Sequence, residues 1–302
     1  MNYPVSEISN RHIRAKIYLP DQEEGYYRAT RFDWSGIIYS LEYKGHQFSG
    51  PWFDHHHPEI HDAICGPVDE FAPIGFYDAD MGGEFLKIGV GTLRKSSVDY
   101  QRFGLYQIVN PGKWEIIRDH SRIVFRHLIE NGSFAYDYTK TVRLSDDKPV
   151  LRLDCSLINR GKRPLECNVF NHNFFVIDRQ VTGPDTEIHF PFYPEGKWRD
   201  TDSPVMICNN KIGFTRYFER GETVFMQDLK GFDPDKNYRF SIENRAAKAG
   251  IQIVGDRMPF KMVFWASHLT ACPEAFIRWS VGSQEEYTWS NVYELYEINT
   301  VN

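Results

Sequence analysis

Two residues in the second half of the chain have side chains that could move protons at a shared site. His172 lies in the run Asn-His-Asn-Phe-Phe at 171–175, which follows a strand predicted over 165–170. Glu274 lies much further along, after an apolar strand predicted over 262–266. A histidine can give and recover a proton near neutral pH because its ordinary pKa is about 6.5, and a carboxylate becomes a better base when burial raises its pKa. The two residues therefore predict an acid and base pair, provided that the fold brings their strands to one face.

Both residues also have ordinary structural explanations. A single histidine is often buried with its ring nitrogens satisfied by backbone groups, and a glutamate usually lies in a surface loop. Glu285 and Glu286 are rival candidates for the base, but they lie inside a strand pattern that favours a structural role. Residue type alone does not separate these explanations, so the surrounding elements have to be considered.

Alternation of apolar and polar residues with a period of two dominates the chain. It is clear over 37–44, 136–144 and 151–157, and this pattern is typical of strands with one buried face. Turn-forming residues follow at 146–149 and 159–162. The pattern therefore predicts a series of antiparallel strands joined by short turns.

The first of these turns separates two predicted strands, 134–144 and 150–158, which we expect to form a hairpin. Further strands are predicted over 262–267 and 286–296. Units of a strand and a turn thus recur to the end of the sequence.

Helical signals are weak in comparison. The two best helix candidates are short and lie near 68–72 and 242–249. The sequence has no low-complexity linker, no strong shift in composition and no internal repeat. We therefore predict an all-β fold, a large antiparallel β-sandwich that forms a single domain over residues 1–302.

The segment around His172 resembles the aldose 1-epimerase (galactose mutarotase-like) superfamily. The signature of that family reads Asn-His-x-Tyr-Phe-Asn in this region. Asn171, His172 and Phe175 match it, while Phe174 replaces the Tyr and Val176 replaces the last Asn. The resemblance implies a galactose mutarotase-like β-supersandwich.

The resemblance also extends to the C-terminal part of the chain. In that family a catalytic Glu precedes a Gly-x-x-x-x-Tyr strand, which the residues from Gly282 to Tyr287 resemble. The resemblance implies that Glu274 takes the proton of the anomeric hydroxyl and that His172 protonates the ring oxygen. It further implies interconversion of the α and β anomers of an aldose, a reaction that needs no metal and no organic cofactor.

Four further residues are candidates for binding the sugar. Arg94 is chosen because the family has a sugar-binding Arg in this half, and it ends a glycine-rich segment that lacks the Gly-Lys-Ser/Thr of a phosphate-binding loop. Asn171 and Glu70 are chosen as polar contacts. Trp265 is expected to stack on the sugar face. The family's second histidine, in a segment ending His-Gly-Gly, has no counterpart in the first half of this sequence.

A cluster of histidines lies in the first half of the chain, at His55, His56, His57 and His61. Adjacent residues of a strand point to opposite faces, and Pro58 prevents a helix that would align the last two histidines. We therefore expect a polar loop near the mouth of the site, which could contribute a ligand to a sugar or a metal. We assign no metal site to it.

Composition narrows the choice of partners and compartment. The net charge of −6 argues against nucleic acid, and no apolar run is long enough to span a membrane. The five cysteines are odd in number and scattered, with no CxxC pair, and the first twenty residues lack the apolar core of a signal peptide. We predict a cytoplasmic protein, a monomer or homodimer, whose partner is a small sugar or sugar phosphate.

Two other functions fit the same sequence. The first is a carbohydrate-binding protein of the same fold without turnover, because a fold does not fix a function. The second is a glycan lyase or hydrolase, or an accessory protein to one. A hydrolase requires a pair of carboxyl groups about 5–10 Å apart, so the surroundings of Glu274 distinguish it from an epimerase.

Overall fold

Strands form all of the regular secondary structure in the computed structural model, which describes residues 3–130, 134–200 and 202–298. Within those ranges, no helix has the length and hydrophobicity needed to cross a lipid bilayer. In chain order the strands are β1 (Val5–Ser9), β2 (Ile13–Tyr18), β3 (Ile37–Tyr43), β4 (His46–Gln47), β5 (Val68–Phe71), β6 (Glu84–Lys87), β7 (Gly91–Arg94), β8 (Ile108–Asn110), β9 (Lys113–Arg118), β10 (Arg122–Ile129), β11 (Tyr136–Leu144), β12 (Val150–Asn159), β13 (Leu165–His172), β14 (Thr186–His189), β15 (Val205–Cys208), β16 (Lys211–Phe214), β17 (Thr223–Met226), β18 (Arg239–Asn244), β19 (Ala249–Gly255), β20 (Lys261–Ser267), β21 (Thr270–Val281) and β22 (Glu286–Glu297).

The strands pair into four antiparallel sheets. The largest has ten strands in the order β15-β16-β14-β18-β19-β22-β12-β11-β10-β9, and the second has five in the order β17-β20-β21-β13-β5. The two smaller sheets are β1-β2-β3-β4 and β6-β7-β8. The main hydrophobic core contains Leu153 of the ten-stranded sheet, Phe264 of the five-stranded sheet and Ile17 of the sheet β1-β2-β3-β4. The core therefore lies between the faces of these three sheets. The predicted all-β antiparallel sandwich is confirmed.

The predicted hairpin is also confirmed. β11 pairs with β12 from Tyr136 opposite Asn159 to Leu144 opposite Leu151. Alternate residues of β12 are buried, as the period-two pattern requires for a strand with one face against the core. Local alternation and turn chemistry therefore specify this part of the fold without long-range information.

Both helix candidates were wrong, and tertiary pairing explains why. The candidate near 68–72 is β5, whose four residues are all buried and which pairs along β13. The candidate near 242–249 is a hairpin between β18 and β19. Its turn is closed by Asn244, whose side-chain oxygen accepts a hydrogen bond from the Ala247 amide, and by Lys248 in the left-handed region at φ 55°.

A buried ionic network connects the ten-stranded sheet to the five-stranded sheet. Nζ of Lys140, on β11, lies 3.1 Å from Oδ2 of Asp33 and 2.7 Å from Oδ2 of Asp69 on β5. All three side chains are almost fully excluded from solvent. Tyr138 donates to Asp33 at 3.0 Å, and Asn171 donates to Asp69 at 3.0 Å. The network thus fixes β5 against β11 of the larger sheet.

Replacing Lys140 by Met tests how much this network stabilises the fold. Removing the one cation leaves two buried carboxylates without it, so we expect the free energy of unfolding to fall by about 3–5 kcal/mol. Urea denaturation followed by fluorescence measures the change. Lys211→Met, which breaks a more exposed pair with Glu187, is the control and should cost less than about 1 kcal/mol. Equal losses in the two variants would contradict the role assigned to the network.

Candidate active site

A cavity of ≈ 430 Å³ lies against one face of the five-stranded sheet. Strands of that sheet supply five of its lining residues, which are His172, Thr223, Phe225, Trp265 and Glu274. The remaining wall comes from loops and includes Arg31, Trp52, His61, Arg102 and Phe103. The cavity is therefore concave and partly aromatic, with titratable groups on its floor and cationic groups on its wall.

Strand register brings His172 and Glu274 together. β13 pairs with β21, and the last pair of this ladder is Phe170 opposite Phe276. Two further steps in the same register place His172 opposite Glu274, and both side chains then point to the cavity face. Nε2 of His172 lies 3.2 Å from Oε1 of Glu274. Glu274 lies within β21 and not in the loop that follows β20. Its place in the strand directs its side chain to the cavity.

Aromatic rings hold the His172 imidazole in place. It stacks on Phe174 with ring centroids 3.6 Å apart, and Trp265 and Phe32 contact it edge-on at 5.4 and 6.0 Å. The residue is only 4% exposed, and Nδ1 has no hydrogen-bond partner among the described residues. Burial, with the nearby Arg31 and Arg102 guanidiniums, keeps the pKa of His172 well below its ordinary value. The imidazole is therefore neutral at pH 7.

The pKa of Glu274 moves in the opposite direction. The side chain is 3% exposed, and burial raises its pKa to about 8, although the Arg102 charge opposes the shift. A carboxyl group with this pKa is protonated at neutral pH. Glu274 and His172 are therefore two neutral groups in contact and not an ion pair.

Two arginines on the cavity wall are held by a single buried carboxylate. Arg31 donates to Glu70 at 2.9 Å, and Arg102 donates to both oxygens of Glu70 at 2.5 and 2.8 Å. Burial alone would raise the pKa of Glu70, but the two guanidiniums outweigh it and lower the pKa to about 2. A guanidinium has five N–H donors, so each arginine keeps donors beyond those it uses on Glu70. The pair can therefore bind hydroxyl or anionic groups in the cavity.

The four residues predicted to contact a sugar occupy different positions relative to the cavity. Trp265 lines the cavity, and Glu70 lies behind the two arginines that line it. Asn171 lies on the opposite face of β13 from His172, because adjacent strand residues point to opposite faces. Its amide donates to Asp69, and Tyr293 donates to its oxygen at 2.9 Å.

Arg94 lies at the end of β7, away from the residues that line the cavity. It donates to Oε1 of Gln107 at 3.0 Å and to the carbonyl of Gly82 at 2.7 Å. These contacts join β7 to neighbouring loops. Arg94 was predicted to contact sugar hydroxyls, but the guanidiniums that Glu70 holds at the cavity belong to Arg31 and Arg102.

Sequence reasoning missed both of these arginines. Each precedes a phenylalanine, in Arg31-Phe32 and Arg102-Phe103, and in each case a guanidinium lies over a phenylalanine ring. The dipeptide is a weak signal, because Arg239-Phe240 has the same sequence within β18. Their convergence on Glu70 depends on loops that are far apart in the chain.

The histidine cluster is dispersed by the fold. His56 stacks on Tyr26 at 4.0 Å, whereas His61 lines the cavity and stacks on Phe103 at 4.7 Å. His55 and His57 are exposed. Of the four histidines, only His61 lies at the cavity, where the whole loop was expected.

Elsewhere, one group of three side chains has the spacing of metal ligands among the residues that the structure describes: Glu187, His189 and Glu243. Lys211 and Arg245 already pair with Glu187, at 3.0 and 3.3 Å. Basic side chains thus occupy both carboxylate oxygens of Glu187.

No family model matches this sequence, and no curated protein matches it. Among solved structures, the GalM/aldose epimerase homologue from C. elegans aligns over 99% of this chain and 100% of its own, with a TM-score of 0.57 and 11% identity. The galactose mutarotase related enzyme from Lactobacillus acidophilus aligns over 98% of both chains, with a TM-score of 0.55 and 12% identity. This chain has the galactose mutarotase-like fold.

This chain is also similar to a third solved structure. The Slr1438 protein from Synechocystis sp. PCC 6803 aligns over 98% of this chain and 97% of its own, with a TM-score of 0.58 and 12% identity. Identities this low establish the fold and leave the reaction to be argued from the cavity. The fold implied by the His172 segment is therefore confirmed.

Stability of a Glu274→Gln variant tests the raised pKa. In the unfolded chain the carboxyl ionises near its ordinary pKa of 4.5, whereas in the folded protein it keeps its proton up to about pH 8. The wild type therefore loses stability as the pH rises between these values, and a glutamine does not. We expect the variant to be more stable than the wild type at pH 7–8, on the order of 3 kcal/mol.

The measurement is urea denaturation at several values between pH 4.5 and 8.5. The difference between the two proteins should shrink towards zero near pH 4.5. Glu59→Gln, at an exposed loop position, controls for the loss of one negative charge. A Glu274→Gln variant that is less stable than the wild type across this range would rule out a desolvated, protonated carboxyl.

Proposed function

We propose that this protein is an aldose 1-epimerase, which interconverts the α and β anomers of a sugar bound in the cavity. The observation that carries the proposal is the pair of His172 and Glu274, 3.2 Å apart on the floor of the cavity. Their environments push the two pKa values in opposite directions, so the pair holds one exchangeable proton at neutral pH. Anomerisation needs one proton donor and one proton acceptor, and no net proton is gained or lost.

The proposed reaction opens and closes the sugar ring. Glu274, as carboxylate, takes the proton of O1 while His172, as imidazolium, protonates the ring oxygen. The C1–O5 bond breaks and the C1–O1 bond becomes a carbonyl. Rotation about C1–C2 presents the other face of the carbonyl, and the ring closes as the two side chains return the protons to their starting positions.

The starting form of the pair is reached by a proton shift within the site. Burial favours a protonated Glu274 and a neutral His172, which is the same arrangement that follows ring opening. Nε2 and Oε1 lie 3.2 Å apart, and we propose that the proton moves between them when a sugar binds. That shift creates the carboxylate and imidazolium without exchange of protons with the solvent.

The rest of the cavity suits a sugar. Trp265 and Phe103 offer ring faces for the C–H faces of a pyranose, and the donors of Arg31 and Arg102 can bind its hydroxyls or a phosphate. We propose a sugar or sugar phosphate as the substrate. We also propose a cytoplasmic location, which the five unpaired cysteines support.

A hydrolase fits the cavity less well than an epimerase does. Glycosidases use two carboxyl groups, one of them protonated. The group next to Glu274 is an imidazole, and the nearby carboxylate of Glu70 is neutralised by Arg31 and Arg102. A protein that only binds carbohydrate would have no need of a buried acid and base at this separation. These contacts favour the epimerase.

Substitution of either member of the pair should abolish the reaction. We expect Glu274→Gln and His172→Asn each to lower kcat/KM for anomerisation by about a hundredfold or more, because each removes one proton-transfer group. Polarimetry or proton NMR of freshly dissolved α-glucose, α-galactose and a hexose 6-phosphate measures the rate above the spontaneous one. Arg94→Ala, outside the cavity, is the control. Unchanged rates in both site variants would rule out this pair as the catalytic groups.

The pH dependence of the rate provides an independent test. The active form holds one proton on the pair, and that proton is lost as the pH rises through about 8, the pKa of Glu274. We therefore expect kcat/KM to be level around pH 7 and to fall about tenfold per pH unit well above 8, after subtraction of the spontaneous reaction. A rate that increases with pH through 8 would mean that the fully deprotonated pair is the active form.

A further inference from the structure

The two edges of the ten-stranded sheet differ in charge. The order of its strands places β15 at one end and β9 at the other, and no strand of the described residues lies beyond either. β9 carries three charged residues, Lys113, Glu115 and Arg118, whereas β15 has the sequence Val-Met-Ile-Cys and carries none. Charged residues on an edge strand hinder its pairing with another chain. β9 therefore has this protection, and β15 lacks it.

Apolar side chains lie exposed along β15. Met206 is 47% exposed and Ile207 is 37% exposed, and Cys208 beside them is exposed as well. The residues that flank the strand add no charge, so the whole segment 203–210 is uncharged. An exposed apolar edge strand without charges is a surface on which a second strand can pair.

The backbone of β15 offers hydrogen bonds towards this open edge. The Thr215 amide donates to the Pro204 carbonyl at 2.7 Å, so the Pro204 carbonyl points to β16. In an antiparallel pair the backbone groups of successive residues point alternately towards the partner strand and away from it. Met206 and Cys208 therefore bond to β16, and the amides and carbonyls of Val205 and Ile207 point to the open side.

We propose that β15 is the interface through which two copies of this chain form a dimer. The two β15 strands pair antiparallel across a two-fold axis, with Ile207 near the axis and Met206 opposite Cys208 of the second copy. In such a contact the same patch serves both copies, so a charged residue near the axis would meet its own counterpart. The uncharged segment 203–210 avoids that repulsion.

The dimer joins two ten-stranded sheets into one continuous sheet. Backbone hydrogen bonds between the strands supply the affinity, and the exposed apolar side chains of β15 are covered. A four-residue strand offers a small contact area, so the association is weak and reversible. β15 contributes no residue to the cavity that holds His172 and Glu274, so this inference does not depend on the proposed reaction.

Sedimentation velocity of the full chain over a range of concentrations tests the dimer. We expect a reversible equilibrium of monomer and dimer with a dissociation constant on the order of 10 µM, as suits a small interface. Ile207→Lys places two like charges near the axis and should raise that constant about tenfold or more. Ile117→Lys is the matched control, because Ile117 is a 64% exposed isoleucine on the opposite edge strand, β9. It should leave the constant unchanged.

Cys208 allows an independent measurement by crosslinking. The other four cysteines are buried, so a short bis-maleimide reacts at Cys208. In the proposed pairing the two Cys208 residues are diagonal neighbours, about 7–8 Å apart. We expect a covalent dimer from the wild type, a weaker band from Ile207→Lys and none from Cys208→Ser. Circular dichroism checks that each variant is folded, and Met206→Lys replaces Ile207→Lys if the latter is not.

The alternatives give different results. A wild type that stays monomeric well above the expected dissociation constant would overturn the proposal and leave the edge to a strand of a different protein. A dimer that Ile207→Lys does not weaken, or that Ile117→Lys weakens equally, would place the interface elsewhere. Species that keep growing beyond a dimer would contradict pairing across a two-fold axis.

Discussion

The structure depends on two adjacent acidic residues of one short strand, Asp69 and Glu70 of β5. Neighbouring residues of a strand point to opposite faces, so these two carboxylates serve opposite sides of the five-stranded sheet. Asp69 reaches Lys140 in the ten-stranded sheet, and Glu70 reaches Arg31 and Arg102 at the cavity. Both carboxylates are buried, and a buried charge requires its partner. The same strand therefore fixes the packing of the sheets and the position of the cavity wall.

The site also illustrates how environment assigns roles to identical side chains. Glu70 and Glu274 are both buried glutamates near the same arginines. Glu70 accepts hydrogen bonds from two guanidiniums, and its pKa falls to about 2. Glu274 contacts a neutral imidazole, so desolvation dominates and its pKa rises to about 8. One carboxyl group is thus a permanent anion that holds the wall, and the other is poised to exchange a proton near neutral pH.

Much of the fold could be predicted from local patterns. The β11 and β12 hairpin follows from alternation and a turn, because each strand needs only its own apolar face to define it. The segment of β5 was misassigned as helix for the opposite reason, since β5 is buried on both faces and shows no alternation. The same alternation also determines the direction of the Asn171 side chain. Once His172 faces the cavity, Asn171 has to face away from it.

The sequence by itself determined the strand pattern, the resemblance at His172 and the residue types that could form an acid and base pair. Those features are local, because they depend on a side chain and its near neighbours along the chain. Only the tertiary structure decided that Arg31 and Arg102, and not Arg94, form the cationic wall. Their position depends on loops that meet at Glu70 across long stretches of chain, and the pKa values depend on burial. Both are set by packing between distant segments, which no pattern in the sequence records.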